Sequence, residues 1–223
     1  MIGRTDQLQS IYPATSFGIL SITDFHPCNH AAFHEIRQRE IKRMESVFDN
    51  YARADFVKTE PICRYVDYFK KFKKTYFVLQ QIESIFVKQQ PFPEAFPVVQ
   101  ALFLSELKHG VLMAACDTDA MKNPFSFDVA GGEETFIGSR GMTITLKAGD
   151  MYLRDAEGIV ISTIYGQDMR TRVTENSRNI LFVIIGVEGI PRNTITVALT
   201  DLLCYLQTFD RNTVPTVFDV VGS

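Results

Sequence analysis

The stretch Tyr165-Gly-Gln-Asp-Met-Arg-Thr-Arg-Val-Thr-Glu175 lies between two apolar runs, residues 159–165 and 180–186. Runs of that length and composition read as buried strands. The polar stretch between them is then a loop held by rigid elements, a usual place for binding groups. Asp168, Arg170, Arg172, Glu175 and Arg178 crowd this part of the chain. Hydroxyls and guanidinium forks in one loop suit an anionic or polar ligand such as phosphate or carboxylate. A solvated loop closed by internal salt bridges would carry the same residues.

Working outward, residues 125–129 and 134–137 flank Ala130-Gly131-Gly132, which reads as a hairpin tip because glycine accepts positive φ. Met142, Ile144 and Leu146 alternate with Thr143, Thr145 and Lys147 as a half-buried strand, and residues 151–153 form another. Upstream of Gly110 the pattern is helical. A short strand at 16–23 precedes a long helix from His30 to about Ala54, capped by Asn29. A second helix opens at Pro61 and a third covers 79–88. The Pro91–Pro97 piece redirects the chain into a fourth, which Gly110 stops. A helix over 194–209 closes the chain. Helices, then strands, then a final helix predict an α+β fold. Residues 1–60, a strand and a long helix, are expected as an appendage to a core of residues 61–223, because they have too little apolar surface for a core of their own.

Composition adds limits. With 223 residues, 46% apolar and 22% charged, the chain fits one large domain or a domain plus an appendage. A net charge of -3 argues against wrapping nucleic acid by overall charge, but not against a local basic patch. The four cysteines, Cys28, Cys63, Cys116 and Cys204, are far apart and read as reduced, mostly buried thiols. Neither a signal peptide nor a membrane-spanning run is visible, so a cytoplasmic protein is expected.

Three clusters carry chemistry worth weighing. His26, Cys28, His30 and His34 include donors acceptable to zinc, but the spacing is not that of paired-ligand motifs, and no metal or other cofactor is expected. Lys70, Lys71, Lys73 and Lys74 are interleaved with Tyr68, Phe69, Phe72 and Tyr76. This is the mix of nucleic-acid surfaces, and equally that of a helix with one lysine face. Asp155 and Glu157 bracket a turn and suit either an acid/base pair or simple turn geometry. GxSxG, P-loop, GxGxxG and HExxH are absent from the sequence.

The order Pro97-Val-Val-Gln-Ala101, Leu107-Lys-His-Gly110, Ala114-Ala-Cys-Asp117, Gly132-Glu-Glu134, Lys147-Ala-Gly-Asp150, Asp155-Ala-Glu-Gly158, Arg170-Thr-Arg-Val-Thr174 and Leu181-Phe-Val183 resembles one family. It is the editing domain of the phenylalanyl-tRNA synthetase β subunit, the B3/B4 domain, in free-standing form. The resemblance runs from about Pro61 to Phe209, is most specific at Arg170–Thr174, and includes no aminoacylation core. It implies a layered, β-sandwich-like α+β fold with flanking helices.

The function it implies is binding of an aminoacylated tRNA end or a related amino-acid-like ligand. If the protein is an enzyme, the reaction is hydrolytic deacylation by a positioned water. The alternative is a non-catalytic module binding tRNA, a small molecule or a protein through a remodelled pocket. The family's polar pocket positions fall on Leu102, Phe103, Ala114 and Met169, which are apolar or small. The Gly-x-Asp-x-Arg-Thr pattern of the free-standing relatives is kept as Gly166, Asp168, Arg170 and Thr171. The resemblance implies that these eight residues line a ligand cleft, Asp168 taking an amine and Arg170 a carboxylate or phosphate.

Overall fold

The computed structural model describes residues 2–222. The N-terminal part runs β1 (Gly3–Arg4), α1 (Asp6–Ile11), β2 (Ser16–Ile22), α2 (His30–Glu45), α3 (Arg53–Phe56), α4 (Ile62–Lys71), α5 (Phe77–Ile82) and α6 (Pro97–His109). The strand-rich part follows as β3 (Met113–Asp117), β4 (Ser126–Val129), β5 (Thr135–Ile137), β6 (Thr143–Thr145), β7 (Met151–Asp155), β8 (Gly158–Ser162), β9 (Gly166–Gln167) and β10 (Ile180–Gly186). Helix α7 (Arg192–Phe209) and strand β11 (Pro215–Gly222) complete it. The fold is α+β, as the sequence pattern requires.

Two sheets carry the architecture, one ordered β1-β4-β7-β8-β9 and the other β11-β2-β10-β3; β5 and β6 form a separate pair. Strand β10 is buried along its whole length because it has neighbours on both edges and α7 over one face. Helix α7 lies close against β2. A Cβ on Gly18 would stand 2.6 Å from Ile195 Cγ2 and 3.1 Å from Leu199 Cδ1, so only glycine permits this approach. Gly110 ends α6 at φ 62°, the left-handed C-terminal position expected for it.

Several expectations are corrected. The strands at 125–129 and 134–137 do not pair with each other: β4 pairs with β1 and β7, while β5 pairs with β6. The reason is local. The Glu134 carboxylate turns back to accept from the backbone N–H groups of Gly131, Gly132 and Glu133, which closes the glycine turn on itself and leads the chain out of the sheet. The long helix from His30 ends at Glu45 and continues as a 3-10 turn at Ser46–Phe48 and the short α3. The third helix starts at Phe77 and widens into a π turn at Glu83–Val87. The final helix does not close the chain, because β11 follows and pairs antiparallel with β2. Of the cysteines only Cys116 is buried; Cys28 and Cys204 are exposed and Cys63 lies between.

The boundary expected at residue 60 runs through this arrangement. Residues before it supply β1 to one sheet and β2 to the other, where β2 is flanked by β10 and β11. Helix α2 packs on the outside, against α6 and α7. Among the described residues no helix is long and apolar enough to cross a membrane.

Candidate nucleic-acid interface

The loop after β9 is tied down by its own side chains. Asp168, 4% exposed, accepts from the Thr171 backbone N–H at 3.0 Å and from the Thr171 hydroxyl. Arg170 donates through both terminal nitrogens to Asp155, each contact 2.9 Å, and to the Ala120 carbonyl at 2.6 Å. Burial pushes the Asp155 carboxyl up. The Arg170 guanidinium and the N–H groups of Lys122 and Glu157 outweigh that and hold it below the ordinary carboxylate range. Asp155 is thus a turn-forming anchor, and the acid/base pairing with the exposed Glu157 is not what the geometry uses it for.

The eight residues expected around a ligand are brought together only in part. Strand β3 carries the half-buried Ala114 and meets the loop through a Cys116–Arg172 bridge and an Asp117 N–H to Thr171 carbonyl bond of 2.8 Å. Gly166 lies in β9, Thr171 is fully buried and Met169 is 44% exposed. Leu102 and Phe103 are on α6, whose neighbours are β3 and helices α2, α5 and α7; Phe103 meets the edge of Phe92 at 5.1 Å. None of the eight lines the principal cavities of the molecule.

The basic run behaves differently. In α4, Ile62, Tyr65, Tyr68 and Phe69 face the core, which turns Lys70 and Lys71 outward, and Lys73 and Lys74 follow in an exposed turn. The four aromatics interleaved with the lysines are all buried, from 1% to 6% exposed, so they form no stacking platform. What the fold adds is Lys147, 73 residues further on by the difference of 147 and 74. Its ammonium caps the carbonyl of Phe72 at 2.5 Å, which places it at the C-terminal end of α4, where a cation is favoured.

Lys71, Lys73 and Lys147 therefore line one cleft of about 390 Å³, together with Tyr12, Phe72, Ala148 and Gly149. Among the described residues no carboxylate pairs with Lys71, Lys73, Lys74 or Lys147, whereas Lys70 lies 3.7 Å from Asp67. Lys71 stands 5.5 Å from the Tyr12 ring centre, and Lys74 stands 4.7 Å from that of Tyr165, which leads into the Gly166 loop. Beyond Tyr12 the surface becomes mixed, with Arg64, Asp67 and Glu188 lining the next depression.

A buried carboxylate underlies this cleft. Tyr12 donates to the Gly149 carbonyl at 2.9 Å, and the adjacent Asp150, fully buried, accepts from Ser162 at 2.5 Å and Tyr68 at 3.1 Å. Burial lifts the Asp150 carboxyl to about 7, against the two hydroxyl donors. Sequence reading placed Lys147 on a half-buried strand and Asp150 in the turn after it, and quoted both in the Lys147–Asp150 motif, but gave neither a place in a site.

The histidine cluster is dispersed. His26 bonds to Asp24 at 2.7 Å, His30 packs edge-on against Phe209, and His34 accepts from Arg37. Among the described residues no group of three or more His, Cys, Asp or Glu side chains is placed to hold a metal ion.

The model of the B3/4 domain family matches residues 68–203. No curated protein matches the sequence. A solved structure, an N-terminal fragment of the phenylalanyl-tRNA synthetase β subunit from Pyrococcus horikoshii, is similar at 12% identity and a TM-score of 0.46. The alignment covers 97% of this chain and 56% of that fragment, so the chain spans just over half the length of this relative.

Proposed function

From the premise that this chain belongs to the B3/4 domain family, we propose that it binds RNA, and specifically the aminoacylated end of a tRNA. The observation that carries the proposal is the convergence of Lys71, Lys73 and Lys147 on one cleft with no carboxylate partner among the described residues, beside Lys74 and the partly exposed Tyr165 ring. Lysines from two chain segments without carboxylate partners suit a phosphodiester backbone, which ammonium groups contact as point charges without reading sequence. One accessible ring at the end of the strip suits a single terminal base. The negative net charge is no obstacle, since the attraction is local.

Hydrolysis is the finer question. The resemblance puts apolar or small residues, Leu102, Phe103, Ala114 and Met169, at the family's polar pocket positions. The charges of Asp168 and Arg170 are already engaged with Thr171 and Asp155. These two observations favour a binding module over a hydrolase.

The test uses an RNA hairpin with a four-nucleotide single-stranded 3′ tail, uncharged or carrying an amino-acid ester. The proposal expects both forms to bind, a blunt hairpin to bind more weakly, and the ester to survive incubation. Equal affinity for tailed and blunt RNA would remove the terminal-end reading. Release of the amino acid in many turnovers would replace the binding module with an esterase.

A further inference from the structure

A second cleft differs in character from the lysine cleft. About 880 Å³ opens between the end of α2 with its 3-10 turn and the π turn that leads to Phe92. Its apolar wall is aromatic: Phe48 and Phe86 stack in parallel with centres 4.6 Å apart, and Tyr51 and Phe92 stand beside them. Its polar rim holds Glu45 and Asp49, which flank the 3-10 turn on either side. Among the described residues neither carboxylate lies within ion-pair distance of a cation. The nearby arginines Arg39 and Arg43 are turned to Glu40, and Arg53 to Glu83.

We infer that this cleft binds a small organic cation, an ammonium group carried on an apolar body. The volume lies within the range of small-molecule sites. Aromatic rings attract cations as well as burying hydrocarbon; Arg37, which does not line the cleft, lies 4.9 Å over the Phe92 ring. The two unpaired carboxylates complement the charge and exclude phosphate and carboxylate ligands, so the cleft and the lysine strip select opposite signs. The inference does not depend on RNA binding.

The full-length protein is titrated with 4-phenylbutylammonium, neutral 4-phenylbutanol and anionic 4-phenylbutyrate, followed by aromatic NMR shifts and calorimetry. The cation is expected to bind about tenfold more tightly than the alcohol, with shifts at Phe48, Phe86 and Phe92, and the anion weakest. The Glu45→Gln/Asp49→Asn variant, altered only at exposed positions, should keep its melting temperature and lose the preference for the cation. Alcohol and cation binding equally to the unaltered protein, an unchanged preference in the variant, or no shifts at these rings at millimolar ligand would each overturn the assignment.

Discussion

Arg170 grips Asp155 with both terminal nitrogens, each 2.9 Å from a different carboxylate oxygen, and Asp155 is 1% exposed. The pair joins the loop after β9 to the turn between β7 and β8, so a charge pattern that resembles a ligand site also closes the fold on itself. Removing the guanidinium leaves a buried carboxylate with only backbone donors.

Arg170→Ala is therefore expected to destabilise the protein by about 2–3 kcal/mol, measured by urea unfolding. Combining it with Asp155→Asn should recover part of the loss, because the uncompensated charge is gone. A fully stable Arg170→Ala protein that no longer binds RNA would return Arg170 to the ligand site.

Asp150 predicts a pH dependence of opposite sense to the usual carboxylate. Its folded-state value is raised, to about 7 from 3.8, so the folded state holds a proton that the unfolded chain has released between those values. The stability it contributes is complete below about pH 4 and declines as pH rises through 7. Glu106, fully buried and lifted by burial to about 8, acts in the same direction. Asp150→Asn should flatten the decline of melting temperature between pH 5 and 7, leaving the part due to Glu106. The depressed Asp155 acts the other way, its contribution lost only as pH falls through its low folded value. A melting temperature that rises steadily from pH 5 to 7 would contradict the assignment.

A fragment of residues 61–223 is expected to be poorly soluble and non-cooperative in unfolding. It lacks β2, so β10 loses one neighbour and β11 loses the strand with which it pairs. A soluble fragment with a sharp transition would show that residues 1–60 are dispensable to the core.

How far the sequence could be read follows from where each element finds its partners. Strands β8 and β10 and helix α7 were legible, because a buried strand must be apolar throughout and α7 carries its own helical period. The α6 stop was legible because left-handed backbone selects glycine. Strand β11 was not, since Pro215–Gly222 is mostly exposed and its partner β2 is about 200 residues earlier in the chain. The Gly131–Gly132 turn misled for a chemical reason: Glu134 satisfies the turn amides and diverts the strand. At the candidate site the lysine run was visible, but not that its interleaved rings are buried, nor that Lys147 joins it from a distant turn.

The central claim is that RNA is held by the lysine strip, and the salt dependence of binding tests it most directly. Affinity for a short single-stranded RNA is measured from about 50 to 300 mM salt for the unaltered protein and for Lys71→Ala/Lys73→Ala. The account predicts weaker binding in the variant and a log–log slope shallower by about 0.7 for each lysine removed, with an unchanged melting temperature. An identical slope and affinity in the two proteins, both folded, would contradict it.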